Sequence, residues 1–199
     1  MSGITINPAQ QTNALGLFST TTEGYIAGVM SDDPVARYYI ASGVVDPGAA
    51  APMYAGEGIT DSLTQAGTEA SVLGNRLNLA TAQANLTGFT VANQSTAMIQ
   101  TPQSPVPQAP QGGAINFVRF KSGARLALPI SPANAATLLG SASNVALYWD
   151  FVNQVVLLAG ATPMPVTLLD VNIGNSKVVT SSGGNLLWNN GGSCVLVQI

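Results

Sequence analysis

Apolar and polar side chains alternate most regularly in the second half of the chain. Ile115-Asn116-Phe117-Val118-Arg119-Phe120 runs into Lys121-Ser122-Gly123-Ala124 and returns as Arg125-Leu126-Ala127-Leu128-Pro129-Ile130. Two strand-like runs about a Ser-Gly turn predict a hairpin. A second predicted hairpin joins 145–149 to 155–158 through a turn at 150–153. Further strands are predicted at 166–173, 177–180, 185–188 and 194–198. Turns at Gly174-Asn175, Gly183-Gly184 and 189–192 separate them. Between the two hairpins, Ser131-Pro132 has the capping residue and first-turn proline of a short helix start.

The first half is less periodic. Residues 86–92 read as a strand with Phe89 and Val91 on its buried face and Thr90 and Ala92 on the other. Met98-Ile99-Gln100 reads as another. Residues 101–113 hold Pro102, Pro105, Pro107 and Pro110, which predicts a stiff, polyproline-like loop. Residues 1–52 read as an extended N-terminal arm. Within it, Ser31-Asp32-Asp33-Pro34 marks a helix start, 35–40 suits a short helix or a strand, and Asp46-Pro47-Gly48 marks a turn. An unsupported arm is an entropic liability, so this one is expected to order on a neighbour. The expected organisation is an arm over 1–52 and a body over 53–199. Short strands at 8–12-residue spacing make that body mainly β, a β-sandwich or jelly-roll-like body with little helix.

Composition sharpens this picture. Only 8% of the residues are charged and 46% are hydrophobic, with a mean hydropathy of +0.29. An ordinary soluble domain has roughly 25% charged residues. Yet the longest apolar run, 155–161, is far short of the roughly 18 residues of a membrane span. No membrane is expected as a partner; the apolar surface is expected to face other protein. The first ten residues, MSGITINPAQ, lack the basic start and apolar core of a secretory signal, so synthesis in the cytoplasm is expected. A net charge of −3 gives no electrostatic reason to bind nucleic acid. The charges are unevenly placed. Through residue 70 seven acids (Glu23, Asp32, Asp33, Asp46, Glu57, Asp61, Glu69) stand against Arg37. From 71 onward Asp150 and Asp170 stand against Arg76, Arg119, Lys121, Arg125 and Lys177. Acidic front and basic back suit pairing within a subunit or between subunits.

Reactive chemistry has little to build on. The chain has no histidine and one cysteine, which excludes a Ser-His-acid triad, a Cys-His pair and a multi-thiolate zinc site. No phosphate-binding loop and no Asp-x-Asp-x-Asp-Gly calcium loop is present. Cys194 lies in an apolar run and reads as a buried small hydrophobe. Asp32-Asp33 reads as a helix start and Asp150 as a turn former. Tyr148, Trp149 and Phe151 read as core, with a stacking face for a glycan, shared with Trp188, as the alternative. Arg119, Lys121 and Arg125 flank one turn and, with Tyr25, Tyr38 and Tyr39, are the candidate contacts for other subunits. No cofactor and no catalytic step is expected.

Residues 50–160 resemble the capsid cement (decoration) proteins of tailed bacteriophages. The likeness rests on Met53-Tyr54-Ala55-Gly56-Glu57-Gly58-Ile59-Thr60-Asp61-Ser62 and on the glycine-bearing Leu86-Thr87-Gly88-Phe89-Thr90-Val91. It continues through the 117–128 strand, turn and return strand, and the apolar strands from 145 to 158. The resemblance implies a homodimer or homotrimer on the outer surface of a phage head, bound to the major capsid protein and bridging its subunits. It implies a structural role without contact to DNA. Two other classes fit the same composition: a different virion part (tail, fibre or head-to-tail connector), or a small glycan-binding β module.

Overall fold

A computed structural model describes residues 24–30, 39–63, 75–92, 99–101, 104–182 and 184–199. Those residues are mainly β, with a single α-helix among them. The strands are β1 (Ile40–Val45), β2 (Gly58–Leu63), β3 (Asn75–Leu79), β4 (Gly88–Val91), β5 (Ile99–Thr101), β6 (Ser104–Gln108), β7 (Ala114–Arg119) and β8 (Arg125–Ile130). They continue with β9 (Tyr148–Asp150), β10 (Val155–Leu157), β11 (Thr167–Ser182) and β12 (Asn185–Gln198); α1 (Pro132–Leu138) lies between β8 and β9.

Five strands close into a small barrel in the order β1-β3-β2-β4-β7. Its β1–β3 pair is parallel and its other pairs are antiparallel. This closure was not part of the sandwich or jelly-roll expectation. A second sheet runs β11-β12-β8-β10-β9, and β5-β6 form a small ribbon. The lumen of the barrel is filled by Val45, Met53, Ile59, Leu77, Ile115 and Phe117. A larger core lies between the barrel wall and the second sheet, where Phe89, Val91 and Val118 meet Leu126, Leu128, Val195 and Val197. This position explains β4. Alternation predicted one open face, but all four β4 residues are buried, because the strand has lumen on one side and sheet on the other.

The expected 115–130 hairpin does not form. β7 pairs with β1 and β4 in the barrel, whereas β8 pairs with β12 and β10 in the second sheet. The intervening turn hands the chain from one sheet to the other. Lys121 and Gly123 have φ of 68° and 81°, and the Gly123 N–H donates to the Ile199 carbonyl. The sequence of such a turn is that of a hairpin; only the ladder partners differ.

Elsewhere local chemistry behaves as read. Ser131 caps α1 by accepting the Asn134 N–H at 3.2 Å, with Pro132 as the first helical residue. β9 and β10 pair antiparallel about Asp150, whose carboxylate accepts the Val152 and Asn153 N–H groups. The four predicted late strands merge into two long ones. The true turn lies between Ser182 and Asn185, at Gly184, while Gly174-Asn175 is a register shift within the β11–β12 ladder. The proline-rich stretch also departs from expectation. Residues 104–108 form β6, with Val106 buried between Pro105 and Pro107, and Met53 pairs with Ala109. Alternate prolines leave the intervening residues free to bond. β1 lies inside the stretch read as an arm and is a stave of the barrel. The expected helix start at 31–34 lies outside the described residues.

Candidate functional site

The expected contact residues do not form one patch. Tyr25 sits on a strap, residues 24–30, that crosses from β11 to the barrel. Its hydroxyl donates to Asp170 at 2.5 Å and its N–H donates to Ser176 Oγ. Tyr39 precedes β1 and is exposed, at the end of the barrel where Ile40 faces Val118. Arg119 closes β7 at the same end, but it is committed. Its guanidinium bonds Asp61 Oδ2 at 2.6 and 2.8 Å and lies 5.0 Å over the Phe117 ring. Lys121 and Arg125 are exposed on either side of the crossover turn. Tyr38 lies outside the described residues. Two ion pairs among the described residues, Arg119–Asp61 and Arg76–Asp46, each join an acid from the front of the chain to a base from the back.

The stacking residues separate too. Trp149 is buried in the shared core, edge-on to Phe89 at 4.9 Å between centroids. Its Nε1–H donates to Gln154 Oε1. Trp188 lies elsewhere, on β12, under the Lys177 ammonium at 5.1 Å. Cys194 is buried, and burial pushes its thiol up to about 12, so it is an unreactive packing residue at neutral pH. Among the described residues no group of three or more His, Cys, Asp or Glu side chains could hold a metal ion. A shallow cleft of about 180 Å³ lies between the end of α1 and β11, beside Leu138, Ser141, Leu168 and Asp170. Ordinary small-molecule sites hold roughly 300–1,000 Å³.

Two features were not singled out from sequence. The first is Glu57, 4% exposed. Its carboxylate accepts the Tyr54 N–H at 2.9 Å, and burial pushes its pKa up from 4.5 to about 8. A signal for it existed: Met53, Ala55, Glu57 and Ile59 are spaced by two, and all four are buried. The second is the outer half of the β11–β12 ribbon. From 178 to 192 the sequence has no charged residue. Among the described residues β12 has no ladder partner but β11 before Ser193, where β8 joins it. Val179 pairs with Trp188 and Thr180 with Leu187; Leu187 is exposed and Val179 and Trp188 are half-buried. A two-stranded ribbon is marginally stable alone in water, and natural sheet edges in water usually carry charges or prolines. This one carries neither, which suits a surface that meets other protein.

No protein-family model, curated protein or solved structure matches the chain.

Proposed function

We propose that this chain is a structural subunit of a virus particle, bound to the outside of a tailed-phage head and bridging neighbouring major capsid proteins. The observation that carries the reading is the outer half of the β11–β12 ribbon, whose own residues 178–192 carry no charge, with Leu187 exposed and Trp188 half-buried beneath the Lys177 ammonium. Apolar surface without charge is the composition of an interface core. The low charge of the whole chain and the resemblance over residues 50–160 support the same reading. In this reading the body acts as a rigid block. A sandwich-like or jelly-roll-like form of that block is part of the same proposal. Copies associate as dimers or trimers, and contact with capsid subunits stabilises the shell by area buried at many equivalent positions. The reading requires no cofactor, membrane, nucleic acid or catalytic step.

The test is to mix the purified chain with undecorated mature heads of its own virus and image them by cryo-electron microscopy. Density at regular positions over the shell is expected, and a Leu187→Lys variant should lose it while staying folded. Density at a single vertex or on the tail would replace cement with a connector or fibre role. Bare heads, with a tryptophan fluorescence response to a sugar panel, would replace both with the glycan reading.

A further inference from the structure

Glu57 stands where three parts of the fold meet. The strap reaches it through Gly28, whose φ is 79° and which lies so close to Ala55 and Gly56 that a Cβ there would sit 2.3 Å from the Ala55 carbonyl carbon. β4 reaches it through Thr90. The Glu57 N–H donates to Thr90 Oγ1, the Thr90 N–H donates to the Glu57 carbonyl, and the Gly56 N–H donates to the Thr90 carbonyl. The β9–β10 turn reaches the next residue, where the Gly58 N–H donates to Gln154 Oε1. The strap itself is stitched to everything around it. Gly28 N–H donates to the Ala127 carbonyl, Ala92 N–H to the Gly28 carbonyl, and Ala27 N–H to the Lys177 carbonyl.

The backbone of this junction is well satisfied, while its one carboxyl is poorly prepared to be charged. Among the described hydrogen bonds the carboxyl has one donor, the Tyr54 N–H. Among the described residues no cation appears on these elements. β4 has no titratable side chain. The β9–β10 turn offers only Asp150, which is held by its own turn amides. The strap offers only the Tyr25 hydroxyl, engaged by Asp170. On the 53–58 segment the only other titratable group is the Tyr54 hydroxyl, whose own ionisation is opposed by burial and, to a lesser extent, by a Glu57 charge. A buried carboxylate without a counter-charge is costly, and a neutral carboxyl is not.

We propose that Glu57 is a proton-held latch: its protonated carboxyl keeps the 54–58 turn seated against the strap, and loss of the proton unseats the turn and frees the strap. Freeing it breaks the strap's backbone bonds to Lys177 on β11 and to Ala127 on β8. The sign follows from where the proton is held. The closed state holds it up to about pH 8, and the exposed carboxyl releases it near 4.5. Closure is therefore favoured most below about 4.5 and loses ground as pH rises to about 8.

Amide hydrogen exchange on the intact chain tests this, with rates corrected for the intrinsic pH dependence of exchange. The Gly28, Ala92 and Ala127 amides should exchange through an opening of their own, less protected than the β12 amides. Their protection should fall about tenfold per pH unit between pH 5 and 8 and then level off. Glu57→Gln, which keeps the neutral shape, should flatten that slope. Equal protection of strap and β12 amides at every pH would overturn the latch, and so would a slope that survives Glu57→Gln. Should the variant fail to fold, a carbon-13 titration of the wild-type Glu57 carboxyl decides: a midpoint near 4.5 overturns the proposal, and one near 8 that tracks strap exchange supports it.

Discussion

The barrel and the outer half of the β11–β12 ribbon deal with water in opposite ways. Barrel strands are paired on both sides, so the barrel has no edge to protect. It nevertheless carries Asp61–Arg119 on its rim, Arg76–Asp46 beside it and Glu57 in the turn that leads into β2. The outer ribbon has only one ladder among the described residues, yet no charge from 178 to 192. Edges that stay in water are usually guarded by charge, bulges or proline; this ribbon has register shifts at its base but neither charge nor proline beyond them. The comparison teaches that scarcity of charge is not one property here. In the barrel the few charges are fixed within the fold. On the ribbon their absence leaves a surface suited to contact.

The sharpest way to break the comparison is to damage the seam that holds barrel and sheet together. Phe89 is fully buried and packs edge-on against both Trp149 and Phe120. Phe89→Ala should cost about 3–5 kcal/mol, read as a lowered midpoint in urea denaturation. A loss below about 1 kcal/mol would mean that barrel and sheet are not cooperatively joined.

The second effect is pH-dependent and also belongs to the barrel side. Glu57 is buried with its pKa raised to about 8 from 4.5. Between these values the unfolded chain has lost a proton that the folded chain keeps. Global stability should therefore fall with rising pH across that window, by up to about 1.4 kcal/mol per unit. Glu57→Gln should remove most of the slope and make the protein more stable than wild type at pH 8. Thermal melts of both proteins at pH 5, 6.5 and 8 measure it, and parallel curves would assign the pH dependence to other groups.

How far these regions were legible from sequence depends on whether the deciding interaction is local. Ser131-Pro132 and Asp150 act on neighbours within three residues, so their cap and turn were readable. The crossover at Lys121-Ser122-Gly123 was not. Its turn chemistry suits a hairpin, and only the distant partners, β1 and β4 for one strand and β12 for the other, show that the chain changes sheet. β4 was misread for the same reason: alternation reports one buried face and is silent about a strand with cores on both sides. Glu57 was readable from the spacing of Met53, Ala55 and Ile59, but a sparse charge invites the assumption that it is exposed. The ribbon was visible only in pieces, because Gly174-Asn175 has the composition of a turn and serves as a bulge.

A smaller effect checks local chemistry next to the seam. Ser131 accepts the Asn134 N–H and caps α1, which buries Ala135 and Leu138 in the shared core. Ser131→Ala should cost about 1 kcal/mol, seen as a modest fall in the urea midpoint, while Ser131→Gly should cost only a few tenths. No measurable loss in either variant would mean that the side-chain bond contributes nothing and that the Pro132 start suffices.

The smallest expected effect on stability is the one that most sharpens the contrast between the two regions. Leu187 is 39% exposed on the outer ribbon, opposite Thr180. Substitutions at exposed sites away from special features usually change stability by less than about 0.5 kcal/mol. Leu187→Lys should therefore leave the melting curve in place. It should still weaken association, because a charge placed in an apolar contact must be stripped of water without a partner. Sedimentation velocity of wild type and variant over a concentration series separates the two effects. An unchanged melt with a smaller sedimenting species assigns the ribbon to contact. A lowered melt with the same species size would show that Leu187 supports its own fold, and the ribbon would then belong with the barrel as internal architecture.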